Sequence, residues 1–84
     1  MKNVFYFTAD WCGPCKTTRP IVEEMKKEGF EFQRIDADYE QLLVKQFQVK
    51  LIPTFILLED GKELNRISGA KTKDQLEGFI KNEQ

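Results

Sequence analysis

Two cysteines stand in this chain, Cys12 and Cys15, inside the run Trp11-Cys12-Gly13-Pro14-Cys15-Lys16, and there is no histidine. Thiols at this spacing can close a small disulfide and reopen it. A thiolate is the attacking species in disulfide exchange. A helix N-terminus favours it by offering free N–H groups and the positive end of the helix dipole. A second thiol close by then releases the mixed disulfide that the first one makes. Four residues suffice for a two-electron redox device.

Other uses of the pair fit less well. As a staple, a four-residue loop stabilises by only about 2 kcal/mol, against about 4.7 for a long loop. A zinc site needs four ligands, so two cysteines without histidine leave it half built unless carboxylates or a second chain complete it. Cysteine–histidine nucleophilic catalysis lacks its base. Dithiol–disulfide chemistry is therefore expected, with no metal and no cofactor beyond the two thiols. Cys12 precedes the helix and is expected to be the more exposed, attacking thiol. Cys15, one turn into the helix, is expected to be buried and to resolve the mixed disulfide. Gly13-Pro14 sets a tight helix start, where proline's missing N–H costs nothing. Trp11 adjoins the reactive thiol on a loop and is read as facing partners, with core packing as the alternative.

The flanking sequence supplies elements to hold such a device. Asn3–Thr8 is apolar nearly throughout and reads as a strand buried on both faces. The motif opens a helix of about 15 residues that ends before Gly29, with Ile21, Val22 and Met25 forming its apolar stripe. Pro20 falls inside it and should kink it. Phe30–Ile35 reads as a second strand, alternating imperfectly through Phe30, Phe32 and Ile35. Asp38 and Gln41 have the spacing of a capping box for a helix over Tyr39–Phe47 that turns Leu43 and Phe47 inward. Thr54–Leu58 and Glu63–Ser68 form a hairpin about the turn Glu59-Asp60-Gly61-Lys62. Thr72-Lys73-Asp74-Gln75 is a second capping box, for a last helix carrying Leu76, Phe79 and Ile80.

The order is β-α-β-α-β-β-α, an α/β arrangement with a four-stranded mixed sheet and three helices on its two faces. The first β-α-β is expected to be parallel with a right-handed crossover. The motif then lies at the C-terminal end of the first strand, where open α/β sheets place their ligands.

Bulk properties agree. Eighty-four residues make one domain, 1–84, burying about 60–65% of its unfolded surface. Hydrophobic content of 40% with seven phenylalanines supports a packed core rather than disorder. Thirteen basic and 14 acidic residues are interleaved, so neither a nucleic-acid stripe nor a charged tail is present. The apolar runs Val4–Phe7 and Phe55–Leu58 are too short to span a bilayer. Lys2 and the apolar stretch after it imitate a signal peptide, but Thr8-Ala9-Asp10 ends it early. A cytoplasmic monomer is expected, in a compartment where structural disulfides are rare.

The segment Ala9-Asp10-Trp11-Cys12-Gly13-Pro14-Cys15-Lys16 is similar to the active-site signature of the thioredoxin family, and the resemblance runs from Val4 to Ile80. Pro20 matches the family's kink proline, Ile52-Pro53-Thr54 its cis-proline segment, Gly61 its hairpin turn and Gly69 the glycine bordering its substrate groove. The resemblance implies a thioredoxin-like fold and a protein-disulfide oxidoreductase that reduces disulfide-containing client proteins. Its electron donor would be thioredoxin reductase, or glutathione. The Gly-Pro centre resembles the family's reducing members. The resemblance also implies a substrate groove made by Trp11, Gly13, Pro14, Ile52, Pro53, Gly69 and Ala70. Only about 5–6% of X–Pro bonds are cis, so sequence alone favours trans at Pro53; the resemblance reverses that. A cis bond there would leave the Ile52 backbone free to pair with an extended client peptide. The plainer alternatives are a strand-start proline at Pro53, a turn glycine at Gly69, and core packing for Pro14, Ile52 and Ala70. Tyr6, Phe7, Phe55 and Leu57 read as core, and Asp10, Lys16, Asp36 and Asp38 as solvated charges and caps.

Four departures from the family stand out. The chain begins on what would be the family's second strand, as in small archaeal thioredoxins and glutaredoxins. Tyr6 occupies the place of a buried aspartate that helps to deprotonate the second cysteine, and Thr8 that of a tryptophan. Arg34 replaces a lysine, keeping the charge but not an easily donated proton. Two other functions compete. A glutaredoxin-like, glutathione-dependent enzyme would usually carry Gly-Gly and an acidic residue where Gly69-Ala70 stands. A binding subunit could use the fold with its redox cycle incidental.

Overall fold

In the computed structural model, which describes residues 1–81, seven elements follow the expected order. They are β1 (Lys2–Thr8), α1 (Gly13–Lys27), β2 (Phe32–Asp36), α2 (Gln41–Gln46), β3 (Thr54–Glu59), β4 (Lys62–Ser68) and α3 (Lys73–Lys81). The sheet order is β2-β1-β3-β4. β1 runs parallel to β2, from Val4 opposite Phe32 to Thr8 opposite Asp36. It runs antiparallel to β3, which pairs antiparallel with β4. This is the four-stranded mixed sheet that the order of elements requires. No helix among the described residues is long and apolar enough to cross a membrane.

Strand periodicity divides the core into two layers. Val4 and Tyr6 of β1 join Phe55 and Leu57 of β3, Phe32 of β2, Val22 and Met25 of α1 and Leu76 of α3. Phe7, Ile56, Leu58 and Ile35 form the opposite layer, covered by Leu43, Val44 and Phe47 around α2. β3 is buried on both faces, which is why Phe55–Leu58 is apolar without alternation.

The second strand starts at Phe32, two residues later than its sequence implies. The Phe30 N–H donates to the Met25 carbonyl at 3.1 Å, so Phe30 belongs to the exit turn of α1. Gly29 makes that turn at φ 104°, a conformation that favours glycine. Phe32 and Ile35 are three apart and so face opposite layers, which explains the imperfect alternation. Pro20 lies within α1, and α1 continues through it to Lys27. Its missing N–H removes the usual bond to the Lys16 carbonyl.

The capping box expected at Asp38 does not form. The Asp38 N–H donates to Asp36 Oδ1 at 2.9 Å, making an Asx turn, and Gln41 Nε2 donates to the Asp38 carbonyl at 3.1 Å. The Asp38 carboxylate is engaged elsewhere, by Trp11. The helix accordingly starts at Gln41, with Glu40 as N-cap residue and no side-chain cap, and Tyr39 is left exposed.

The other local signals hold. Asp60 and Gly61 both have positive φ, 52° and 85°, as a two-residue hairpin turn matching the strand twist requires. A bulge at Leu57/Leu58 shifts the register of β4 against β3. At Thr72 the capping box is reciprocal: Thr72 N–H donates to Gln75 Oε1 at 2.9 Å, and Gln75 N–H to Thr72 Oγ1 at 3.1 Å. Lys73 bridges the start of α3 to the end of α1 through Glu24 at 2.8 Å and Glu28. Its hydrogen bonds to Glu24, then Glu28, raise the ammonium above the ordinary lysine value. Being exposed to water, this clamp contributes little and weakens with salt.

Thr8 Oγ1 is the buried side-chain polar atom without a hydrogen-bond partner among the described residues. A buried hydroxyl left unpaired costs about 1–3 kcal/mol. Thr8→Val keeps the shape and removes the hydroxyl, so it should raise stability by roughly 1 kcal/mol. The expected result is a higher denaturant midpoint at unchanged m-value. A lower midpoint would show that the hydroxyl has a partner.

Candidate active site

The end of β1 delivers the chain into a short turn in which the Cys12 N–H donates to the Ala9 carbonyl at 3.2 Å. Cys12 is itself the N-cap of α1, with extended backbone at φ −81° and ψ 115°. Gly13 and Pro14 are the first two helical residues, where unpaired N–H groups are tolerated or absent. Cys15 follows in the first turn, joined to Cys12 by a disulfide with Cα atoms 5.2 Å apart. The Cys15 backbone N–H donates to Cys12 Sγ at 3.2 Å. A side chain that accepts from the third residue on is how serine or aspartate caps a helix; here a sulfur does so. No acidic residue occupies the first turn, so nothing there opposes negative charge on that sulfur.

Cys15 is buried, as expected, and Cys12 is more enclosed than the sequence implies. Cys12 is the less buried, as expected, but it is only 3% exposed, against 0% for Cys15. The reason is distant in sequence. Ile52 packs on the cluster of Ala9, Cys12 and Cys15, and its carbonyl oxygen lies 3.8 Å from Cys12 Sγ. The Ile52–Pro53 bond is cis, as the family resemblance implies and against the base rate for X–Pro bonds. Pro53 is buried, and its carbonyl accepts the Gly69 N–H at 2.8 Å. Gly69 takes φ 93°, a conformation that a Cβ would strain. Thr54 Oγ1 and Ser68 Oγ, 2.9 Å apart, tie the same two strand ends together.

The structure therefore brings Ile52 beside Cys12 across 40 positions, and the Gly69 N–H onto the carbonyl of the neighbouring Pro53. Gly13, Pro14 and Ala70 are exposed, and Ile52 is half-buried. Core packing is thus ruled out for Pro14 and Ala70. It is ruled out also for Trp11, which is 67% exposed. Trp11 Nε1 donates to Asp38 Oδ2 at 2.9 Å, which fixes the indole beside the disulfide. Asp38 is a site residue that sequence reasoning counted as a solvated charge or cap; a contact over 27 positions leaves no local signal. Leu51, next to Ile52, is exposed.

Beneath the disulfide lies Tyr6. Its ring stacks on Phe55 with centroids 5.0 Å apart, and its hydroxyl donates to the Cys15 carbonyl at 3.4 Å. Arg34 reaches Asp10 at 3.2 Å, and Arg19 approaches the same carboxylate oxygen at 3.9 Å. Asp10 is thus an exposed charge, as expected, but a paired one.

Fold and site together define an α/β domain carrying a dithiol–disulfide pair at a helix N-terminus. The thioredoxin family model matches residues 1–82. Thioredoxin H2 of Arabidopsis thaliana is 44% identical over 73 residues, covering 84% of this chain and 54% of that protein. The thioredoxin of Chlamydia trachomatis is 40% identical over 80 residues, covering 93% of this chain and 78% of that one. The X-ray structure of Fasciola hepatica thioredoxin superposes with a TM-score of 0.90 at 36% identity, covering 99% of this chain and 81% of that chain. The chain spans about half to two thirds of the length of the plant relatives it matches. It belongs to the thioredoxin family.

Proposed function

We propose that the chain is a dithiol–disulfide oxidoreductase that reduces disulfides in client proteins. The observation that carries this is Cys12 Sγ at the N-cap of α1, accepting the Cys15 N–H and bordered by the Ile52 carbonyl. Once the disulfide is reduced, the same N–H and the helix dipole favour Cys12 as thiolate. That thiolate attacks one sulfur of a client disulfide; the client S–S bond breaks, and the departing client thiolate takes a proton from water. Cys15 then loses its proton and attacks Cys12 Sγ, releasing the second client thiolate and closing the Cys12–Cys15 disulfide. The client gains two electrons from the oxidoreductase and two protons, one drawn from water and one given up by Cys15 to the second client thiolate.

Trp11, Gly13, Pro14, Ile52, Pro53, Gly69 and Ala70 form the client groove in this scheme. An extended client segment lies along Ile52 and Gly69 by strand-like pairing, which places few demands on its sequence. Restoring the dithiol needs an electron donor, and we assign thioredoxin reductase that role in a reducing compartment such as the cytoplasm, acting on a monomer.

The test offers the oxidised protein either NADPH with thioredoxin reductase or glutathione with its own reductase, and follows NADPH absorbance while a disulfide-bonded client is present. Consumption in the first arm is expected. Consumption confined to the second would establish the glutathione-dependent alternative. No consumption in either, with partner binding retained after both cysteines become serine, would identify a binding subunit.

A further inference from the structure

Trp11 is the chain's only tryptophan, and its indole belongs to a bracket closed at both ends. At the base, just past the last β1–β2 pair of Thr8 with Asp36, the Ala37 N–H donates to the Thr8 carbonyl at 2.8 Å. From that base one arm runs from Thr8 to Trp11 and the other from Ala37 to Asp38. The Trp11 Nε1–Asp38 Oδ2 bond joins the two arms at their tips. The Asp38 arm is rigid in its own right. Its N–H donates to Asp36 Oδ1, its carbonyl accepts Gln41 Nε2, and the Asp36 carbonyl takes the N–H groups of Tyr39 at 3.1 Å and Glu40 at 2.8 Å.

The tip bond has a cost in the fold. Aspartate is among the preferred N-cap residues, and Asp38 stands three residues before Gln41, the spacing at which its carboxylate could cap a helix. With that carboxylate turned to Trp11, α2 starts without a side-chain cap. The side chain it holds instead is 67% exposed and buries little in return. A forgone cap and a tethered, solvent-facing ring together indicate that the orientation of the ring matters outside the fold.

We propose that Asp38 is a positioning residue for client reduction, holding the Trp11 indole in place before a client arrives. This rests on the oxidoreductase reading above. An exposed indole left free turns among rotamers on the picosecond-to-nanosecond scale, and a client that packs on it must arrest it. Ordering one such side chain weakens an interface about two- to tenfold. A tethered indole is ordered on folding, so the client meets a preformed wall. Asp38 acts through Trp11 and not on the sulfurs.

Asp38→Ala removes the acceptor, whereas Asp38→Asn keeps an acceptor oxygen and drops the charge. The reduced protein is mixed with excess insulin, a disulfide-bonded protein, in acid-quenched single turnovers, and ¹⁵N relaxation at the single indole N–H reports its motion. Asp38→Ala should release the indole to nanosecond motion and raise the half-saturating insulin concentration about two- to tenfold, with the limiting rate within about twofold. Asp38→Asn should restore most of both. In a Trp11→Phe background, which lacks the donor, Asp38→Ala should raise the half-saturating concentration no further. The proposal is overturned if the indole of the unsubstituted protein is as mobile as that of Asp38→Ala, or if the loss falls on the limiting rate. It is overturned also if Asp38→Asn fails to rescue, or if Asp38→Ala keeps its full effect in the Trp11→Phe background. No insulin reduction by the unsubstituted protein would overturn the oxidoreductase reading, and this role with it.

Discussion

Cys15→Ser accumulates covalent adducts with disulfide-bearing clients through Cys12, whereas Cys12→Ser accumulates almost none. Neither variant turns over, each losing on the order of 10³-fold or more, because the two thiols act as a unit. The asymmetry follows from the geometry of the helix start. The hydrogen bond that favours the Cys12 thiolate comes from the backbone N–H of residue 15, so serine at that position leaves it in place. Cys12→Ser instead removes the nucleophile and leaves Cys15, which is fully buried and has no access to a client. Mass spectrometry of mixtures with a disulfide-bonded client counts the adducts directly. Adduct formation by Cys15→Ser should also persist at pH values where an ordinary thiol reacts slowly, because the capped thiolate resists protonation. Equal trapping by the two variants would show that the roles are reversed or shared.

What could be read from the sequence was whatever is decided within a few residues. The helix start at Cys12-Gly13-Pro14, the Asp60-Gly61 turn and the Thr72–Gln75 capping box each depend on neighbours in the chain, and each appears as expected. The departures at Asp38 and Cys12 involve a distant partner. The carboxylate of Asp38 had two possible uses, a cap three residues away or Trp11 across 27 positions, and only the folded chain decides between them. The start of α2 moved for that reason. Cys12 is expected to be exposed because it precedes the helix; Ile52, 40 positions away, covers it. Phe32 and Ile35 alternate imperfectly in the sequence because a spacing of three in a strand serves two layers, and β2 lies between two. The groove residues follow from family resemblance, and the Gly69–Pro53 hydrogen bond that joins two of them is one that no local pattern encodes.

Tyr6→Asp should destabilise the fold by several kcal/mol and yet speed the release of the mixed disulfide at neutral pH. The stability loss has two sources. Truncating a buried aromatic ring costs about 3–5 kcal/mol, and here the ring is stacked on Phe55. The new carboxyl is also placed in an apolar layer without a cation built to meet it, and burial raises its pKa above that of the unfolded chain. A carboxyl raised in this way penalises the fold least at acid pH and increasingly as pH rises through the folded-state value. The midpoint deficit of Tyr6→Asp against Tyr6→Asn should therefore grow between mildly acidic and neutral pH. The same raised carboxyl is a competent base for Cys15, whereas the tyrosine hydroxyl acts here as a donor to the Cys15 carbonyl. General-base assistance is worth about 10²-fold at its lower end, so stopped-flow reduction of a model disulfide should resolve it. Tyr6→Asn, sharing the truncation but lacking the base, separates proton transfer from loosened packing. If asparagine accelerates release as much as aspartate does, or if aspartate leaves the rate unchanged or lower, residue 6 does not govern the resolving proton, and Cys15 loses it to water.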